Sequence, residues 1–160
     1  MKWLLAAMAL ATPLAAQELV FDPVPSARCV ATAGNELNEV ACIGESANRC
    51  MEDTPGGFST VGMVGCLDAE LSYWDAELNR NYGALMQILR GYDAESAGFG
   101  LSQADALRAM QRAWITFRDD KCAYERSQWG DGSGAGPAGV GCLMTETGRQ
   151  ALYLDRQMDD

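Results

Sequence analysis

Between Val64 and Leu89 the apolar side chains Leu67, Leu71, Trp74, Leu78, Tyr82, Leu85 and Leu89 recur at steps of 4, 3, 4, 4, 3 and 4. A strand would need alternation by two; this period belongs to one face of a helix. The segment holds no proline, Gly83 is its one weak interior point, and Ser59 or Thr60 stands where an N-cap belongs. At 1.5 Å per residue it is roughly 40 Å long. A second stripe, Leu107, Met110, Trp114, Phe117 and Tyr124, runs to about residue 129. Ser102 caps it, with Asp105 three residues on in the manner of a capping box. "GYDAESAGFG" (residues 91–100) separates the two stripes, and so short a connection predicts an antiparallel helix pair.

The remainder is subordinate to that pair. Residues 17–34, with Pro23 and Pro25, read as extended or irregular, and residues 35–53 as a short helical stretch weakened by Gly44. "TPGGFSTVG" breaks the chain before the first stripe, and "GDGSGAGPAGVG" (residues 130–141) follows the second as a flexible loop. A last helix is expected from Cys142 to Gln157, and nothing reads as a strand. The fold class is therefore all-α: a small disulfide-bonded helical domain with two long antiparallel helices plus shorter N- and C-terminal helices. Lys2 and the apolar run "WLLAAMALATPLAA" read as a signal peptide cleaved near Ala16, too short to span a membrane. The expected organisation is a signal over 1–16, an N-terminal extension over 17–62 and a helical domain over 63–160. No lipid-attachment cysteine opens the mature chain, since the first cysteine is Cys29. A periplasmic or secreted protein is expected, without stable membrane insertion.

Six cysteines, at 29, 42, 50, 66, 122 and 142, are an even set for such a compartment and read as three disulfides. Fifteen pairings are open. Proximity in sequence, and the need to tie the glycine loop between helices, point to Cys29–Cys42, Cys50–Cys66 and Cys122–Cys142. There is no CxxC pair and no histidine, which argues against zinc, a thioredoxin-type centre and histidine-based nucleophile systems. Carboxylate-pair chemistry survives on Asp68, Glu70, Asp75 and Glu77, although a solvated helix face produces the same pattern. No catalytic residue, metal ligand or cofactor is assigned.

A net charge of −10 argues against nucleic-acid and membrane-surface partners and favours a basic one. Gly134, Gly136 and Gly139 match GxGxxG formally, but no strand precedes them, Pro137 interrupts and no phosphate-binding lysine follows. Asp131 alone cannot make a calcium loop. The loop is either a linker or a partner-contact segment, and its candidate residues are Gly130, Asp131, Gly132, Ser133, Gly134 and Gly136. The segment around Gly56-Gly57 is the second mobile stretch of that kind, each being braced by neighbouring cysteines.

On the first stripe Asp75 and Asn79 lie four apart beside Trp74, Leu78 and Tyr82; on the second, Gln111 and Arg118 lie beside Trp114. An antiparallel pairing of Asp75 with Arg118 and of Asn79 with Gln111 would lock the helix register. Unrelated surface charges are the alternative.

These residues also form a recognisable set. Cys66, then "WDAELNRNY" with Asp75, Leu78-Asn79 and Tyr82, then "QRAWITFRDDKC" with Gln111, Trp114, Arg118-Asp119 and Cys122, then Cys142 and Arg149, resemble the LprI-like family of exported bacterial domains. That family is named for a lipoprotein that inhibits lysozyme. The resemblance covers roughly residues 64–155 and implies a binding protein, not an enzyme, whose partner is a basic lysozyme-type muramidase. The alternatives are an envelope structural or stress module and, from another class, a carboxylate-dependent hydrolase.

Overall fold

Among the described residues there are six α-helices: α1 (Val24–Thr32), α2 (Glu36–Ala41), α3 (Glu45–Asp53), α4 (Thr60–Glu95), α5 (Gln103–Ser127) and α6 (Ala135–Arg156). The computed structural model describes residues 18–96 and 100–158, among which there is no strand. The expected signal peptide falls outside the described residues.

The long helices start where their caps dictate. The Ser59 hydroxyl accepts from the Gly62 N–H at 3.1 Å and that of Ser102 from the Asp105 N–H at 3.1 Å. α4 is 36 residues, about 54 Å, and continues through Gly91 beyond the expected end of the stripe at Leu89. Residues 35–53 divide into α2 and α3 at Gly44, whose φ of 106° is open to glycine at little cost.

Two expectations are corrected. Residues 24–32 are helical rather than irregular, because Pro23 is the N-cap and Pro25 sits in the first turn, where a missing N–H removes no helix bond. The glycine-rich stretch is not a loop up to 141: α6 begins at Ala135, with Pro137 in its first turn. Its glycines serve close approach. A Cβ at Gly136 would stand 3.1 Å from Val64, and one at Gly139 would stand 3.4 Å from the Arg126 side chain. The C-terminal helix is consequently 22 residues, nearly as long as α5.

Directions follow from the contacts. Along α5 and α6, Arg118 meets Thr147, Lys121 meets Glu146 and Gln111 meets Gln150, so this pair is antiparallel. Along α4 and α6, Val64 faces Gly136, Leu67 faces Gly141 and Asn81 donates to the Ala151 carbonyl, so these run parallel. The parallel α4–α6 seam is the largest helix interface. The main core gathers Trp74, Leu78, Leu85 and Met86 of α4, Leu107 of α5, and Met144, Leu152 and Leu154 of α6. Each fully buried side chain of this size stabilises by about 1.5–3 kcal/mol. A second cluster packs Leu19, Phe21 and Met63 around Met51 and the Cys50–Cys66 bridge. Disulfides join Cys29 to Cys42, Cys50 to Cys66 and Cys122 to Cys142, with Cα separations of 5.5, 5.6 and 5.4 Å. None of the described helices is long and apolar enough to cross a membrane.

Candidate functional site

The motif residues divide between core and seam. Trp74 and Leu78 are buried in α4, and Tyr82 packs against the same core. Asp75 and Asn79 are exposed and bond to each other, Nδ2 to Oδ2 at 3.0 Å. No Asp75–Arg118 or Asn79–Gln111 pair forms, which corrects the expected register lock. The reason is α6, which presents its own polar stripe to the residues of α5 assigned to α4. Gln111 is buried and accepts from the Gln150 amide at 3.0 Å. Arg118 lies 5.1 Å from the Trp114 ring centroid, a cation–π distance, donates to Asp119 at 2.8 and 2.9 Å and reaches Thr147 at 3.4 Å. Glu146 receives Lys121 at 2.9 Å and Arg149 at 3.2 Å. The set Gln111, Trp114, Arg118 and Arg149 is thus a polar seam between α5 and α6, closed at one end by Cys122–Cys142. Its partners Glu146, Thr147 and Gln150 were missed because the segment around them carries no strong pattern of its own.

The four acids considered for carboxylate chemistry do not converge. Asp68 and Asp75 are exposed, and Glu77 is held by Arg80 one turn on. Glu70 is fully buried. One of its oxygens accepts from the Ser26 hydroxyl at 2.8 Å, the Gly44 N–H at 2.8 Å and the Trp74 indole N–H at 2.9 Å; the other accepts from the Ala47 N–H at 2.6 Å. It is therefore a staple holding α1 and α3 to α4, not part of a solvated face. Its position was available in the sequence, three residues after Leu67 and four before Trp74, on the buried stripe itself. Tyr73 beside it is raised above its ordinary value, chiefly by burial and next by the Glu77 carboxylate. Among the described residues no group of three or more His, Cys, Asp or Glu side chains is placed to hold a metal ion.

Both glycine segments are more ordered than expected. Of the predicted contact loop, Gly130, Asp131, Gly132 and Ser133 form an exposed turn, Gly134 lies under the Trp129 ring and Gly136 is inside α6. The Gly132 N–H donates to the Trp129 carbonyl at 2.9 Å and the Ala135 N–H to that of Gly132 at 3.1 Å. The Gly56-Gly57 segment is a locked double turn, with Gly57 donating to the Thr54 carbonyl at 2.8 Å and Ser59 to that of Gly56 at 2.9 Å. Thr54 is in turn fixed by the Val20 N–H at 2.9 Å. A Cβ on Gly57 would overlap the Met51 carbonyl, and one on Gly62 would overlap that of Gly56.

Comparison with known proteins places this framework. Residues 50–154 match the family described as "Lysozyme inhibitor LprI". An uncharacterised 17.7 kDa protein of the puhA 5′ region of Rhodobacter capsulatus is 23% identical over 134 residues, covering 81% of this chain and 82% of the relative. The uncharacterised protein R02472 of Rhizobium meliloti (strain 1021) is 31% identical over 117 residues, covering 71% of this chain and 84% of the relative. No solved structure matches.

Proposed function

Because the chain belongs to the lysozyme inhibitor LprI family, we propose that it is an exported, non-enzymatic binding protein that inhibits at least one lysozyme-type muramidase. The observation that carries this reading is the family match, which spans α4, α5 and α6 up to Leu154 and, of α3, only its last turn. Charge supports it. Common animal-type lysozymes are basic, and a net charge of −10 on 160 residues speeds encounter with a cationic target. Three disulfides fit an oxidising compartment.

Attraction at a distance does not block an enzyme; an inhibitor must also occupy or cover the cleft. The segments proposed for that are the exposed turns, since Gln111, Trp114 and Arg118 are committed to the seam between α5 and α6. The test is a titration of purified, oxidised protein against several lysozymes at low salt and in excess. Loss of activity of at least one is expected, with potency falling as salt rises through the Debye regime. Full activity of every lysozyme would refute the reading.

A further inference from the structure

We propose that the turn over residues 54–59, with the first turn of α4, is a preformed wedge that docks Phe58 and Val61 into an apolar groove with a basic rim on the target lysozyme; this rests on the inhibitory reading above. Phe58 and Val61 are 67% and 74% exposed, although Met51, Gly57 and Gly62 around them are buried. The turn cannot relax to hide them. The Cys50–Cys66 bridge closes its base, Ser59 caps α4, Thr54 is tied to Val20, and Gly57 and Gly62 leave no room for a Cβ. A tip ordered before binding loses little entropy on docking, and rigid apolar anchors at the centre of a contact carry most of its affinity.

The charge distribution selects the partner. Of the nine carboxylates in residues 18–70, Glu36 and Glu39 are paired with Arg156 and Glu70 is buried, which leaves six exposed against Arg28 and Arg49. No lysine or arginine occurs between Arg49 and Arg80. Arg49 is itself engaged with Asp53 at 2.7 Å and Glu52 at 3.7 Å. Asp68, two turns beyond Val61 on the same face of α4, is exposed and has no hydrogen-bond or ion-pair partner among the described residues. An apolar tip in so negative a field repels anionic surfaces and fits a cationic one. Phe117 and Tyr124, seven apart and exposed on one face of α5, are interleaved with Arg118 and Lys121 and lack that bias.

The experiment uses the full-length oxidised protein and a basic animal-type lysozyme that the wild type inhibits. Phe58→Ala/Val61→Ser should weaken inhibition by about thirtyfold or more, with an unchanged helical spectrum and disulfide map. Phe117→Ala/Tyr124→Ala should stay within about threefold of wild type. Asp53→Asn/Asp68→Asn should slow association and flatten its salt dependence. Undiminished inhibition by the Phe58/Val61 variant overturns the wedge while leaving the inhibitory reading intact. So does loss confined to the Phe117/Tyr124 variant. A wild-type dimer that dissociates on the Phe58/Val61 change would identify a second copy as the occupant and also overturn it. A wild type inactive against every lysozyme removes the inhibitory reading, and the wedge with it.

Discussion

Glu70 exchanges its hydration for four donors drawn from three helices and a turn, and among the described residues no cation pairs with it. Removing that acceptor leaves the Gly44 and Ala47 N–H groups, the Ser26 hydroxyl and the Trp74 indole N–H without their partner in the interior. Glu70→Ala should therefore destabilise the fold by about 3 kcal/mol or more, read by chemical denaturation. Glu70→Gln keeps the size but turns an N–H toward other donors, so it should recover only part of the loss. Wild-type stability in either variant would refute the staple. Composition alone gives no reason to bury this acid, and its partners Ser26 and Gly44 lie 44 and 26 residues away in sequence. Its place on the Leu67–Trp74 stripe was the one legible signal. Gln111 stands out in the sequence beside an aromatic face, but its partner is on α6, because the sequence pattern says nothing about which of two helices a polar side chain will meet.

At the corner between α4 and α5, Asp93 accepts from the Ser102 hydroxyl at 2.7 Å and the N–H groups of Gln103 and Ala104 at 2.8 and 3.1 Å. The Ser102 hydrogen bond first, and the Gln103 N–H next, hold its carboxyl below the usual 3.8. A depressed folded value means that the contribution is present above the ordinary carboxylate range and is lost as pH falls through the lower, folded value. Asp93→Asn should accelerate amide exchange at Gln103 and Ala104 near neutral pH, with the difference from wild type vanishing in strong acid. Equal exchange at neutral pH would remove this cap from the account. Two glycines of α4 should respond oppositely. Nothing lies within 4 Å of a Cβ at Gly83, so Gly83→Ala should raise stability by up to about 1 kcal/mol through helix propensity. Gly62→Ala drives a methyl into backbone carbonyls and should cost about 2 kcal/mol despite the same propensity; thermal melts distinguish them. The two stripes were readable as helices because their period is long and uninterrupted. α1 and the first turns of α6 were not, since proline and glycine mark breaks locally, while helix ends tolerate proline and close packing requires glycine.

Across the whole molecule, α5 and α6 are joined by the polar seam and by Cys122–Cys142, which closes a 20-residue separation. Cys122→Ser/Cys142→Ser should lower stability by roughly 3 kcal/mol and raise exchange along α5 before α4, measurable by denaturation and hydrogen exchange. A uniform change across both helices would show instead that the bridge braces the entire fold. The order of the bridges bears on how such a chain is made. Each cysteine is bonded to its immediate neighbour in the series, first to second, third to fourth and fifth to sixth. A chain delivered amino end first into an oxidising compartment offers every odd-numbered thiol its native mate as the next to arrive, so an oxidant alone can complete the set and an isomerase has nothing to reshuffle. In a delivery of that kind the parallel seam between α4 and α6 waits for the last helix, so covalent closure of the early segments would precede, rather than follow, assembly of the core.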